Sequence, residues 1–232
     1  VNARGKDGKH KGEGMLTQFQ ANVNGKWVEM VTDEKRHFQS FLMKGACMNG
    51  KQNTLALGNV YLPRGELEAD RQGAQELAEW IQEWVQEMLG LGYDVLVMGD
   101  LNHATTAQDR ESNRLHQYDK EYGKWVERWG LKDIWVEKLG NKKWGQAGQY
   151  TYRKGHTIGE GDRPGGVASG KEARPPVMSR IDYALCNKEL LPWVNGIGLD
   201  TVQRLQGMDH RFLMVDLNPD YFASDNNNSG IW

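Results

Sequence analysis

Four short runs in this chain carry residues with chemical potential, and the first is Gly99-Asp100-Leu101-Asn102, which closes the apolar segment Asp94–Met98. In extended geometry Asp100 and Asn102 leave the same face, about 6–7 Å apart along the backbone, a spacing that suits a shared oxygen ligand. The same tetrapeptide reads as a strand followed by an Asx turn, and alone it decides nothing. Asp182 is the single acid in the alternating segment Arg180–Cys186, where a carboxylate is costly unless paired or needed. His210 follows Asp209 and is the only one of six histidines preceded by an acid beside a strand-like segment. An isolated Asp-His pair is also an ordinary surface turn. The fourth run, Asn59-Val60-Tyr61-Leu62-Pro63, ends another apolar segment.

Such residues need strands to hold them, and the pattern supplies candidates. Met15–Val23 and Trp27–Val31 flank Asn24-Gly25, a two-residue hairpin turn. Phe41–Cys47 and Asn53–Leu62 read as strands around Asn49-Gly50, and Pro63 stops the second. From Leu67 to Leu89 the period becomes helical, with Leu77, Ile81, Val85 and Met88 on one stripe that Trp80 and Trp84 widen. Gly90 and Gly92 end this helix and Asp94–Met98 follows, so strand, helix and strand form a crossover unit. A polar loop through Asn113 precedes a second helix, Gln117–Trp129, closed by Gly130. Leu131–Trp135 reads as a short packed segment and Tyr150–Arg153 as a strand. Gly155–Gly170, with six glycines and no periodic apolar face, reads as a surface loop, either a plain insertion or a substrate-contacting segment. Val202–Leu205 and Phe212–Leu217 frame a hairpin-like return with Met208-Asp209-His210 at its bend.

A length of 232 residues fits one large domain, here placed at 1–220, with an Asn/Ser-rich tail at 221–232 expected to be disordered. The formal charge of -2 hides an asymmetry: 64–90 holds seven acidic and two basic residues, whereas 141–180 holds eight basic and three acidic. One face could attract phosphates, but the whole chain is not basic enough to be assigned to nucleic acid on charge alone. Cys47 and Cys186 lie far apart without metal-type spacing, which favours buried free thiols and a reducing, intracellular compartment. No apolar run approaches the roughly 20 residues of a membrane span, and no signal peptide is evident, so no membrane partner is expected.

Taken in order, with about 40, 80 and 30 residues between them, the runs at Asn59–Pro63, Gly99–Asn102, Ser179–Tyr183 and Asp209–Arg211 resemble the endonuclease/exonuclease/phosphatase superfamily. The resemblance covers roughly Phe41–Leu217, and Gly130-Leu131-x-Asp133-x-Trp135 adds to it. It implies an α+β fold, a four-layer α/β-sandwich of two packed, mostly antiparallel sheets flanked by helices, DNase I-like. It also implies a Mg2+-dependent phosphodiester hydrolase, with Mn2+ as an alternative ion. By this resemblance His210 contacts the scissile phosphate, Asp182 orients its ring, and Asp100 positions or deprotonates the attacking water with Asn102 fixing it. Asp209 is a metal ligand, Asp100 and Asn102 share in a metal position, and Tyr61 donates its phenol to a phosphate oxygen or is merely a core-edge tyrosine.

The family's opening strands, one ending in Asn and one in a metal-binding Glu, have no counterpart before Phe41. Glu13 and Glu29 sit in polar loop or hairpin contexts. The chain therefore reads as an N-terminally incomplete domain with an unpaired sheet edge. The favoured function is a DNA endonuclease, such as a retroelement module fused to a reverse transcriptase and acting in the nucleus. The alternatives are a catalytically impaired remnant or binding domain of the same fold, and a phosphatase or lipid phosphodiesterase of the superfamily. Oligomeric state has no signature here.

Overall fold

Alternating apolar residues on β6 (Asp94–Asp100) send Val95 and Val97 to one side and Leu96 and Met98 to the other, and each side meets a different layer. The structure, a computed structural model, describes residues 3–4, 10–11, 27–32, 37–48, 51–65, 67–140, 150–154, 177–199 and 209–222. β1 (Ala3–Arg4) and β2 (His10–Lys11) form a short antiparallel pair. β3 (Trp27–Thr32), β4 (Phe38–Met48) and β5 (Lys51–Tyr61) form an antiparallel meander, and β5 then pairs in parallel with β6. The crossover between them is α1 (Glu68–Gly90), as the change of period requires. β10 (Asp182–Cys186) runs antiparallel to β6, and β7 (Lys132–Asp133) adds to its far side, giving the order β3-β4-β5-β6-β10-β7.

The helix side is built by α1 and α2 (Gln117–Glu127). Ile81, Trp84 and Val85 of α1 are buried with Tyr122 and Val126 of α2 against Val95, Val97, Tyr183 and Leu185. Phe38 on β4 packs edge-on to both Trp80 and Trp84, at 5.2 and 5.1 Å between ring centroids. Trp129, buried just beyond α2, donates its indole N–H to the Ala78 carbonyl at 2.9 Å and so ties the two helices together. After α1 the chain needs a left-handed residue to re-enter the sheet, and Gly92 supplies it at φ 76°.

On the opposite side lie α3 (Ile134–Leu139) and the hairpin of β11 (Val194–Leu199) and β12 (Leu213–Leu217), which bury Ile134, Val194 and Leu190 against Leu55, Leu96, Ala184 and Cys186. The described layers are helices, a mixed sheet and a second sheet flanked by α3, the packed sheets and helices that the motif resemblance implies. A last pair, β8 (Tyr152–Lys154) and β9 (Val177–Ser179), stands beside the open end of β6.

β12 pairs with β11, and 202–205, expected to frame the return with it, lies outside the described residues. Asn195, Gly196 and Gly198 hide β11 from any reading by strand propensity. Tyr221 and Phe222, expected to open the tail, are packed instead: Tyr221 is fully buried, its hydroxyl donating to Asp94 at 2.8 Å, and Phe222 packs with it. The polar loop after Asp100 is partly interior: His103, Asp109 and Arg110 are buried, and Arg110 pairs with the buried Asp119 of α2. The hairpin at Asn24-Gly25, most of the basic segment 141–180 and the Gly-rich loop fall outside the described residues.

Candidate active site

Strand register brings three of the expected residues into one row. Asp100 stands opposite Tyr61 on β5 and opposite Asp182 on β10, and all three end the face that carries Leu96 and Met98. Neighbouring strands are about 4.8 Å apart, so the two carboxylates are forced together. Gly99 makes the close approach possible: at φ 143° a Cβ would collide with the Val60 carbonyl oxygen. Tyr61 is half-buried with its ring 5.7 Å from that of His37.

Asn102 does not share the Asp100 face. The strand ends at Asp100 and Asn102 adopts φ 51°, so its peptide N–H donates to Asp100 Oδ1 at 2.8 Å. Its side-chain Nδ2 donates instead to the Leu62 carbonyl at 2.7 Å, holding the end of β5. The expectation of two oxygens leaving one extended face fails because the left-handed turn rotates Asn102 away.

His210 arrives from the segment before β12, and its place is set by backbone contacts to β8. Arg153 N–H donates to the Asp209 carbonyl at 2.9 Å, and Arg211 N–H to that of Thr151 at 2.7 Å. The buried Thr151 hydroxyl in turn accepts the N–H groups of Ile181 and Asp182, both at 3.1 Å. One threonine therefore fixes β10 and the His210 segment relative to each other. Nothing in the sequence marked it, since its role lies in contacts with distant residues.

Within this frame His210 Nδ1 lies 3.0 Å from Asp182 Oδ2, and Nε2 is 3.8 Å from Asp100 Oδ2. Asp100, Asp182 and His210 each offer one donor atom within 4.8 Å of the others. Asp209 is exposed and lies outside that group. Burial and then the Asp182 charge push the Asp100 carboxyl up to about 7, with His210 opposing. Burial would lower His210, but the hydrogen bond and charge of Asp182 and the charges of Asp100 and Asp209 outweigh it, so the imidazole is raised. Two carboxylates whose joint ionisation is opposed, beside an imidazole nitrogen, form a donor set that a hard divalent cation fits.

Behind the row, buried ion pairs hold the loops still. Arg180 Nε meets Asp109 at 2.6 Å and its terminal nitrogen meets Asp133 at 2.8 Å, with its guanidinium 4.4 Å over the Tyr183 ring. Asp133 also caps α3 by accepting Trp135 N–H. Arg110 grips Asp119 through two nitrogens at 2.8 and 2.6 Å. Arg180 and Asp133 belong to the motif residues, and here their function is to position β10 rather than to touch the cluster.

No protein-family model and no curated protein matches the sequence. Solved structures do match in shape. The 3′ phosphatase NExo from Neisseria, bound to a product DNA hairpin, aligns with a TM-score of 0.58 at 15% identity over 80% of this chain and 66% of that one. An AP endonuclease from Archaeoglobus fulgidus aligns with 0.55 at 15% identity, over 82% of this chain and 71% of that one. For the APE2 catalytic domain of Xenopus laevis the values are 0.56 and 17%, with 79% and 57% coverage. The chain shares the fold of these nuclease structures, the DNase I-like sandwich that the motif resemblance implies. The chain spans just under two thirds of the Neisseria structure's length.

Proposed function

We propose that this chain is a divalent-cation-dependent phosphodiester hydrolase acting on DNA. The observation that carries the reading is the convergence of Asp100, Asp182 and His210, from three separate segments, within 4.8 Å at the end of the central sheet. Asp182 accepts the Nδ1–H of His210 and so aims Nε2 toward Asp100. The raised imidazole pKa favours the cation, which meets the negative phosphoryl oxygens. Asn102 N–H occupies Asp100 Oδ1, leaving Oδ2 to position the attacking water and take its proton. Tyr61, beside Asp100, has a phenol to offer a phosphate oxygen, and Asp209 adds negative charge at the rim. Asp100 and Asp182 would hold Mg2+, or Mn2+ in its place, and the ion would neutralise phosphoryl charge.

The names of the structural neighbours support DNA as the substrate class, and the excess of basic over acidic residues in 141–180 supports a polyanion. The finer reading is a retroelement endonuclease, joined to a reverse transcriptase and acting in the nucleus; it rests on the motif resemblance. No helix among the described residues is long and apolar enough to cross a membrane.

The test is nicking of supercoiled plasmid with MgCl2. His210→Ala is expected to lower the rate about 10²–10⁴-fold, the range for a lost proton-transfer or charge-stabilising group, and EDTA to abolish it. Nicking that survives either treatment would overturn the assignment. A wild-type chain that binds DNA and never nicks it would establish the non-catalytic alternative.

A further inference from the structure

We propose that Arg64 grips a substrate phosphate flanking the scissile one and that Tyr152 is the platform that holds it there. The proposal rests on the hydrolase reading of Asp100, Asp182 and His210. Arg64 belongs to none of the runs that first drew attention to the site, and the structure puts it at the mouth of the cluster.

Its backbone is unusually constrained for a connection between a strand and a helix. Leu62 N–H donates to the Asp100 carbonyl at 2.9 Å, Asn102 Nδ2 holds the Leu62 carbonyl, and Tyr122 from α2 donates its hydroxyl to the Pro63 carbonyl at 2.9 Å. Gly65, buried on the far side of Arg64, would place a Cβ 3.1 Å from the Tyr122 hydroxyl and 3.2 Å from Tyr118 Cβ, so this turn is pressed against α2. The turn thus takes its position from the same residues that shape the Asp100 end of β6.

The side chain nevertheless projects into solvent. Its Cζ lies 5.7 Å from the centroid of the Tyr152 ring, and that ring is 4.9 Å from the ring of His210. Tyr152 is buried, so the guanidinium rests on a rigid surface on the approach to His210. Among the described residues Arg64 forms no ion pair, although burial is outweighed by Tyr152 and Tyr61 and then by Asp100 and Asp209, which together raise its pKa. A cation fixed at its root, supported on one face and without an ion pair among the described residues is suited to a tetrahedral oxyanion, which the planar fork of arginine meets bidentately. Arg64 is exposed, whereas the side chains of Asp100 and His210 are only 15% and 26% exposed. The phosphate it meets is therefore at the rim, beside the one being cleaved, and the contact is equal in ground and transition states.

Steady-state cleavage of a fluorescein-labelled DNA duplex by the full chain tests this, together with anisotropy of the same duplex in EDTA. Arg64→Ala is expected to raise KM and Kd about tenfold, the worth of a charge-assisted hydrogen bond, with kcat moving less than about twofold. The slope of log Kd against log salt should fall by about 1, and Arg64→Lys should recover the slope but not the affinity. Tyr152→Leu should raise Kd in the same direction. A single neutral methylphosphonate beside the cleaved position should cost wild type the same factor and cost Arg64→Ala nothing further. Equal thermal midpoints will show that the variants are folded. Unchanged Kd and salt slope in Arg64→Ala, beside an active wild type, would overturn the proposal, as would a fall in kcat at constant KM. A wild-type chain that neither binds nor cleaves the duplex would overturn the hydrolase reading and this proposal with it.

Discussion

Asp100 and Asp182 face each other across an antiparallel pair, an arrangement of like charges that weakens a sheet unless something answers it. His210 is the answer inside the protein, and its raised pKa is the counterpart of the raised Asp100 carboxyl. A different balance governs His103, three residues along. It is fully buried between the rings of Tyr122 and Tyr183, at 5.5 and 5.8 Å, with Nδ1 donating to the Leu101 carbonyl at 2.9 Å. Nε2 has no protein partner, and burial lowers the ring's pKa to about 4. The folded ring is thus neutral where the unfolded one, with a pKa of about 6.5, takes up a proton. Its contribution to stability is full above about pH 6.5 and is lost as pH falls through about 4. The loss should approach on the order of 3 kcal/mol, from a shift of about 2.5 units at 1.36 kcal/mol each. Urea midpoints at about pH 7 and about pH 4.5 should converge less for wild type than for His103→Phe; equal losses in both proteins would refute the assignment.

At the scale of elements, the site depends on how β8 meets β10 and the segment before β12. Thr151 is the junction, accepting two peptide N–H groups through its hydroxyl and a third through its carbonyl. Thr151→Val keeps the shape but leaves the Ile181 and Asp182 N–H groups without that acceptor. The expected cost is about 1–3 kcal/mol together with slower nicking, and Thr151→Ser should restore both. Wild-type stability in Thr151→Val, read by urea unfolding, would show that the junction lies elsewhere. The elements themselves differed in how readily they could be read. The α1 stripe of Leu77, Ile81, Val85 and Met88 is a repeat of consecutive residues, and the helix falls within one residue of the expected bounds. The strand β11, with its two glycines, has no such pattern and takes its conformation from pairing with β12.

For the whole molecule, the central position of β6 matters most. It pairs with β5 on one side and β10 on the other and is covered by helices on one face and the β11–β12 hairpin on the other. Amides of β6 and β10 should therefore be the slowest to exchange with deuterium. Those of the β11–β12 hairpin, a two-stranded unit among the described residues, should exchange at least about tenfold faster. Mass-spectrometric exchange that finds the hairpin as protected as β6 would show a single cooperative unit instead.

Two kinds of information meet in this molecule. Periodicity and turn chemistry are properties of neighbouring residues, so the sequence by itself determined α1, the β4–β6 core, β10 and the placing of Asp100, Asp182 and His210 at the ends of strands. Which of these residues touch is a matter of sheet order and register, to which residues far apart in the chain contribute. Only the tertiary structure decided that Asp182 faces Asp100, that Asn102 turns away to hold β5, and that Arg64 lies over Tyr152. The burial of Asp109, Arg110 and Asp119 was decided there too. A charge in a loop looks the same in sequence whether water or an opposite charge satisfies it, and only packing determines which does.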